Sequence, residues 1–85
     1  MQDLDIDLAV EILKLLDSRC IMSAVEVINR FANGNKIHVV FTYKTLIELG
    51  IVRREDDSLF VDAEWRCCKD YRQALMNLGD SYASR

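Results

Sequence analysis

Apolar positions along this chain switch between a helical period and a strand period, and the switches mark its elements. Ala9, Ile12, Leu13 and Leu16 recur at i, i+3, i+4 and i+7, which places them on one face of a helix. A first helix is predicted over about residues 6–17, with Leu8 and Leu15 flanking the stripe and Asp5 or Asp7 as its cap. Cys20-Ile21-Met22 is short and apolar, the size of a small strand. Ser23-Ala24-Val25-Glu26 has the spacing of a capping box, and Ala24, Val27, Ile28 and Phe31 follow as a stripe. They predict a helix over about 24–32 that stops at Asn33-Gly34, two residues that tolerate the left-handed conformation. Val39, Val40, Tyr43, Leu46 and Ile47 predict the next helix, about 37–49, with Leu46 in the core and Gly50 as a positive-φ stop. Residues 51–61 read as strand, acidic turn and strand. Asp62 then caps a last helix, about 63–78, whose stripe is Cys68, Tyr71, Leu75 and Leu78, with Gly79 as an early stop. Trp65 and Cys67 lie off that stripe, which predicts more apolar surface than one contact face needs. Trp65, Tyr71, Leu75 and Leu78 are therefore expected to make a homodimer or partner contact.

The predicted architecture is α+β: one mainly helical domain over residues 1–85 with a small two- or three-stranded antiparallel sheet. An 85-residue chain that is 51% hydrophobic and 29% charged can bury a modest core. The acidic start, Met1 to Asp7, lacks the basic, apolar pattern of a signal peptide, and no run approaches the roughly 20 apolar residues of a spanning helix. Cys20, Cys67 and Cys68 are odd in number and two are adjacent, unlike a secreted disulfide framework. A cytoplasmic protein with no membrane association is expected.

The order helix, short strand, capped helix, helix, then Leu46-Ile47-Glu48-Leu49-Gly50-Ile51-Val52-Arg53-Arg54 and a hairpin resembles a winged helix-turn-helix. The likeness covers about Ile6 to Val61 and rests on spacing and residue class. MarR-like and PadR-like transcription regulators share it. In those families the second motif helix enters the DNA major groove and the wing touches the minor groove or backbone. The resemblance thus implies groove-facing roles for Lys36, His38, Phe41, Thr42 and Thr45, and backbone contacts from Arg53 and Arg54 at the wing base. Asn35-Lys36-Ile37, Phe41, and Leu46 to Val52 with a short acidic turn also look like the small middle components of ABC-three-component defence systems, which implies an adaptor. The N-terminal residues carry no signature of that group. Two functions follow: duplex DNA binding and transcription regulation, as a homodimer, or protein–protein interaction as the subunit of a defence or ATPase complex or a phage-type inhibitor.

Charge bears on both readings. The chain is acidic overall, with 11 Lys plus Arg against 14 Asp plus Glu and a pI near 5.0, which opposes non-specific attraction to phosphate. Arg30 to Arg54 nevertheless holds five basic residues and one acid, Glu48, while the rest holds six and thirteen. A basic stripe over the motif helix and wing base is the footprint of an orienting field for a duplex. It is equally the pattern of solvated residues that happen to cluster, and Glu55-Asp56-Asp57 at the wing tip would repel phosphate. Phe41 falls outside the Val39/Tyr43/Leu46 stripe, beside Thr45 and Glu48. Its simplest place is under the hairpin against Phe60. An exposed Phe41 would suit a protein groove better than a base edge.

Catalytic chemistry finds little support. His38 is the sole histidine, and no nucleophile is placed near it by sequence. Cys67-Cys68 has no ligand spacing for zinc. Gly34, Gly50 and Gly79 form no phosphate-cradling loop. A non-enzymatic binding module without metal or small-molecule cofactor is expected.

Overall fold

A computed structural model of the chain describes residues 5–31, 35–66 and 70–83, with side chains as far as Asn77. Among these residues five helices and three strands follow in the order α1 Ile6–Arg19, β1 Met22–Ser23, α2 Ala24–Arg30, α3 Lys36–Glu48, β2 Val52–Glu55, β3 Ser58–Val61, α4 Ala63–Arg66 and α5 Tyr71–Ala83. The α+β class holds. No described helix is long and apolar enough to cross a membrane.

Each helix start is built from a side-chain acceptor that satisfies N–H groups left open by the helix. Asp5 accepts from the Leu8 N–H at 3.1 Å, Ser23 Oγ from Glu26 at 3.2 Å, and Asn35 Oδ1 from Ile37 at 2.9 Å. The Glu26 carboxylate turns back to Ser23 Oγ at 3.4 Å, so the box at Ser23 closes through side chains. Helix α2 ends at Arg30, with the Phe31 N–H donating to Ile28; the expected stop at Asn33-Gly34 lies outside the described residues.

The end of α3 fixes the rest of the domain. Gly50 sits at φ +80°, its N–H donates to Ile47 and the Ile51 N–H donates to Leu46, both at 3.0 Å. These two bonds satisfy the last carbonyls of α3 in a Schellman turn, and Leu46 and Ile51, both fully buried, make its apolar contact. The turn aims β2 back along α3.

Strands pair antiparallel in the order β1-β3-β2. Val52 pairs with Val61, Arg53 with Phe60, Arg54 with Leu59 and Glu55 with Ser58 across β2 and β3. Met22 pairs with Leu59 on the other side. Side chains directly opposite share a sheet face, so Val52, Leu59 and Val61 form the inner face. They close on Ala9, Ile12, Leu13 and Leu16 of α1 and on Val27, Val39, Tyr43 and Leu46 of α2 and α3.

The C-terminal region departs from expectation. In place of one helix over 63–78 there are two, α4 ending at Arg66 and α5 beginning at Tyr71, capped by Asp70 accepting from Gln73 at 3.1 Å. Helix α5 runs to Ala83, so Gly79 does not stop it. With Asp70 outside any helix, α5 takes its phase from its own start. Trp65, off the stripe of a continuous helix, is half-buried on the core from α4, while Tyr71 and Leu75 are buried from α5, which packs along α1. The apparent surplus of apolar surface is two one-sided helices, and the partner contact expected of Trp65, Tyr71 and Leu75 is largely used up inside the chain. Arg72–Asp7 and Arg66–Asp17 ion pairs flank the same packing. The expected contributions of Cys67, Cys68 and the Leu78 side chain lie outside the described residues.

Candidate interaction surface

Helix α3 has a definite inside and outside. Val39, Thr42, Tyr43 and Leu46 are its buried residues. With about 100° between successive residues, Ile37, Phe41, Lys44 and Glu48 fall within roughly 60° of one another on the opposite side. This outward stripe contains Ile37, which is 79% exposed, and Phe41, which is half-buried and not packed on the core. Lys36 and His38 flank it at the first turn.

Thr42 does not belong to this surface. Its side chain is fully buried and its hydroxyl donates to the His38 carbonyl at 2.7 Å, four residues back along the helix. The resemblance places it at the groove, but its phase puts it on the core side of α3. Thr45 is half-buried, with its hydroxyl donating to Phe41 at 2.8 Å. Lys36, His38, Arg53 and Arg54 are exposed, and Phe41 lies between these extremes. The spacing of four between Ile37 and Phe41 is the sequence signal that puts them on one face.

Two of the expected contact groups are already engaged. Arg53 Nε donates to Asp62 Oδ1 at 2.6 Å, and the other Asp62 oxygen accepts from the Glu64 N–H at 3.2 Å. The Arg53 bond, then the Glu64 bond, hold the Asp62 carboxyl below its usual range, and Asp62 in turn raises the Arg53 guanidinium. His38 Nε2 lies 2.9 Å from Asp5 Oδ2. That bond, followed by the Leu8 N–H, lowers Asp5 and ties the first turn of α3 to the cap of α1. Arg54 donates from Nε to the Asp56 carbonyl at 2.8 Å, a neutral acceptor that leaves its charge uncompensated.

Comparison with protein-family models, with curated proteins and with solved structures returns no match for this chain. Its site therefore has to be read from its own residues.

A shallow groove runs between the C-terminal half of α3 and the hairpin, lined by Ile47, Val52, Arg53, Arg54, Glu55 and Phe60. Three of these residues are apolar and three are charged. Phe60 projects from the outer face of β3 into it, and Phe41 is not among its walls, so the expected stacking of Phe41 on Phe60 finds no support there. Among the described residues no group of three or more His, Cys, Asp or Glu side chains could hold a metal.

Across α3 and the hairpin, charges of both signs are exposed. Among the described residues the cations of α3 and the hairpin that no ion pair engages are Lys36, Lys44 and Arg54, and the acids of the same two elements are Glu48, Glu55, Asp56 and Asp57. The hairpin folds its acidic turn onto the same end of the molecule as its arginines, and the turn also reaches α2, where the Ala24 N–H donates to the Asp57 carbonyl at 2.8 Å. The surface is mixed, with an apolar stripe along its helix.

Proposed function

We propose that this chain is a winged-helix binding module of the cytoplasm whose α3 face and hairpin dock a protein, so that it works as an adaptor subunit and not as an enzyme. The helix–strand–helix–helix–hairpin order and the β1-β3-β2 sheet support the winged-helix reading. The observation that carries the choice of ligand is the outward stripe of α3. Its apolar positions are Ile37, 79% exposed, and Phe41, half-buried, and the acids of α3 and the hairpin outnumber the cations there that no ion pair engages among the described residues. Affinity for a duplex comes mainly from neutralising phosphates. A helix that offers phosphate an isoleucine, beside a wing tip of three consecutive acids, lacks that term. A protein partner gains instead from burying Ile37 and Phe41, since aromatic anchors carry a large share of interface energy.

The test is an electrophoretic shift assay at low salt with duplex fragments of the protein's own locus. No shift is expected. A shift that weakens steeply as salt rises would overturn the adaptor reading in favour of a transcription regulator. In that case Arg54→Glu, whose cation is uncompensated, should weaken binding on every sequence more than Arg53→Glu, and Phe41→Ala should matter least.

A further inference from the structure

The outer stripe of α3 has the spacing of a helix–helix seam. Ile37, Phe41, Lys44 and Glu48 are separated by four, three and four residues, the alternation that keeps one helix face against a neighbouring helix over several turns. At ~1.5 Å per residue the stripe is about 16 Å long, and it divides in two. The first half is apolar, with Ile37 79% exposed and Phe41 half-buried. The second half carries one charge of each sign, both exposed. Lys44 and Glu48 stand four apart with the lysine first, the weaker order for a pair along one helix. They do not bridge each other, and among the described residues no ion pair engages either. Buried Val39, Tyr43 and Leu46 hold the other side of α3 on the core, so the stripe stands on a fixed support.

We propose that this stripe takes an amphipathic helix of the partner protein, laid antiparallel along α3, with apolar side chains opposite Ile37 and Phe41, an acid opposite Lys44 and a base opposite Glu48. The inference rests on the adaptor reading above. When one helix reads another, its anchors recur at this spacing. Ile37 and Phe41 supply the contact area, and the two charges set register and direction, because complementary charges fix the docked pose and reject wrong partners. Antiparallel packing also brings the positive end of one helix dipole beside the negative end of the other. A partner stripe with one acid and one base is neutral as a whole, so the acids of the hairpin do not repel it.

A second copy of α3 does not meet this pattern. Related by a twofold axis, parallel copies set Lys44 against Lys44 and Glu48 against Glu48, and like charges in contact disfavour pairing. Antiparallel copies that overlap along the whole stripe bury Ile37 against Glu48. Joining Ile37 with Phe41 centres the contact at the level of Val39, whereas joining Lys44 with Glu48 centres it at the level of Leu46. No register serves both halves.

The probe is a capped alanine-based peptide, about 18 residues long so that it is helical in water, carrying Lys, Glu, Leu and Leu in that order at the same four-three-four spacing. It is titrated into the full-length protein and followed by amide NMR; the control exchanges its Lys and Glu and keeps its composition. Saturable shifts centred on Ile37, Phe41, Lys44 and Glu48 are expected, and the control should bind about fivefold more weakly or worse. Ile37→Ala should weaken binding about tenfold. The double variant Lys44→Glu, Glu48→Lys should invert the preference between the two peptides, and because all three positions are exposed, the spectrum outside α3 should stay unchanged. No saturable shift at millimolar peptide, shifts centred on the hairpin, equal binding of the two peptides, or a double variant that keeps the original preference would overturn the helix reading. So would a dimer in sedimentation that Ile37→Ala dissolves, the signature of a second copy as occupant. Each of those results in a protein that fails to shift duplex DNA leaves the adaptor reading standing, whereas a duplex shift removes that reading itself.

Discussion

Replacing Gly50 by alanine of either hand separates the two ways a glycine matters. Gly50 sits at φ +80°, and a Cβ built there meets nothing within 4 Å. An L-alanine therefore costs backbone strain alone, about 1–2 kcal/mol for an L-residue held in the left-handed region. Against this stands the reduced freedom of the unfolded chain, which stabilises by about 0.4–1 kcal/mol. Gly50→Ala should lose about 1 kcal/mol on balance. D-alanine, introduced by chemical ligation, meets no strain at positive φ and keeps the unfolded-state gain, so it should stabilise by about 0.4–1 kcal/mol. The unfolded-state effect is common to both enantiomers, so their difference isolates the strain. At about 4–8 °C per kcal/mol for a domain of this size, the two melting temperatures should differ by roughly 5–15 °C by circular dichroism. Equal melting temperatures would refute the argument that the α3–β2 turn requires positive φ, and with it the account of how β2 is aimed along α3.

Leu46 is fully buried, and Leu46→Ala should cost about 2–5 kcal/mol in urea unfolding; a loss below 1 kcal/mol would mean the site is not in the core. Ile37→Asp should leave stability within about 0.5 kcal/mol, because the side chain is 79% exposed, yet it should abolish capture of the partner. The lowered Asp5 carboxyl predicts a pH effect of definite sign. A depressed carboxyl stabilises the fold above its unfolded value near 3.8 and loses that contribution as pH falls through the folded value. Asp5→Asn should accordingly lower stability at neutral pH and shrink the acid-side loss, and a variant whose acid limb matches wild type would contradict the Asp5–His38 and Asp5–Leu8 bonds. Asp62→Ser keeps an oxygen for the Glu64 N–H and frees the Arg53 charge; if protein is the ligand, this variant still should not shift duplex DNA at low salt.

The parts of this fold that were legible in the sequence are those whose cause is local. A capping oxygen at Asp5 or Ser23 and a glycine after Leu49 act within one turn of the chain, so spacing alone announces them. The period-2 run around Glu55-Asp56-Asp57 likewise sets its own register. The break between α4 and α5 had no such announcement. Neither Pro nor Gly marks residues 67–70, and only Asp70, one acid among fourteen, gives the new start its cap. Treating the region as one helix gave it a second apolar face, and from that came the expectation of a partner contact at Trp65, Tyr71 and Leu75.

The candidate surface was harder to read for a related reason. A count of charge from Arg30 to Arg54 treats neighbours in sequence as neighbours in space, while the interactions that decide the field are made across it. Asp62 reaches Arg53 because the hairpin register brings residue 62 opposite 51. Asp5 reaches His38 across 33 positions, and the hairpin turn folds the Asp56 carbonyl back onto Arg54 Nε. What survives, among the described residues, is an isoleucine held in water on the outer side of α3 and two lysines, Lys36 and Lys44, that no ion pair engages. Exposing Ile37 gives the fold nothing. Folding alone does not explain an isoleucine kept in water on the outer side of α3, and an external partner does.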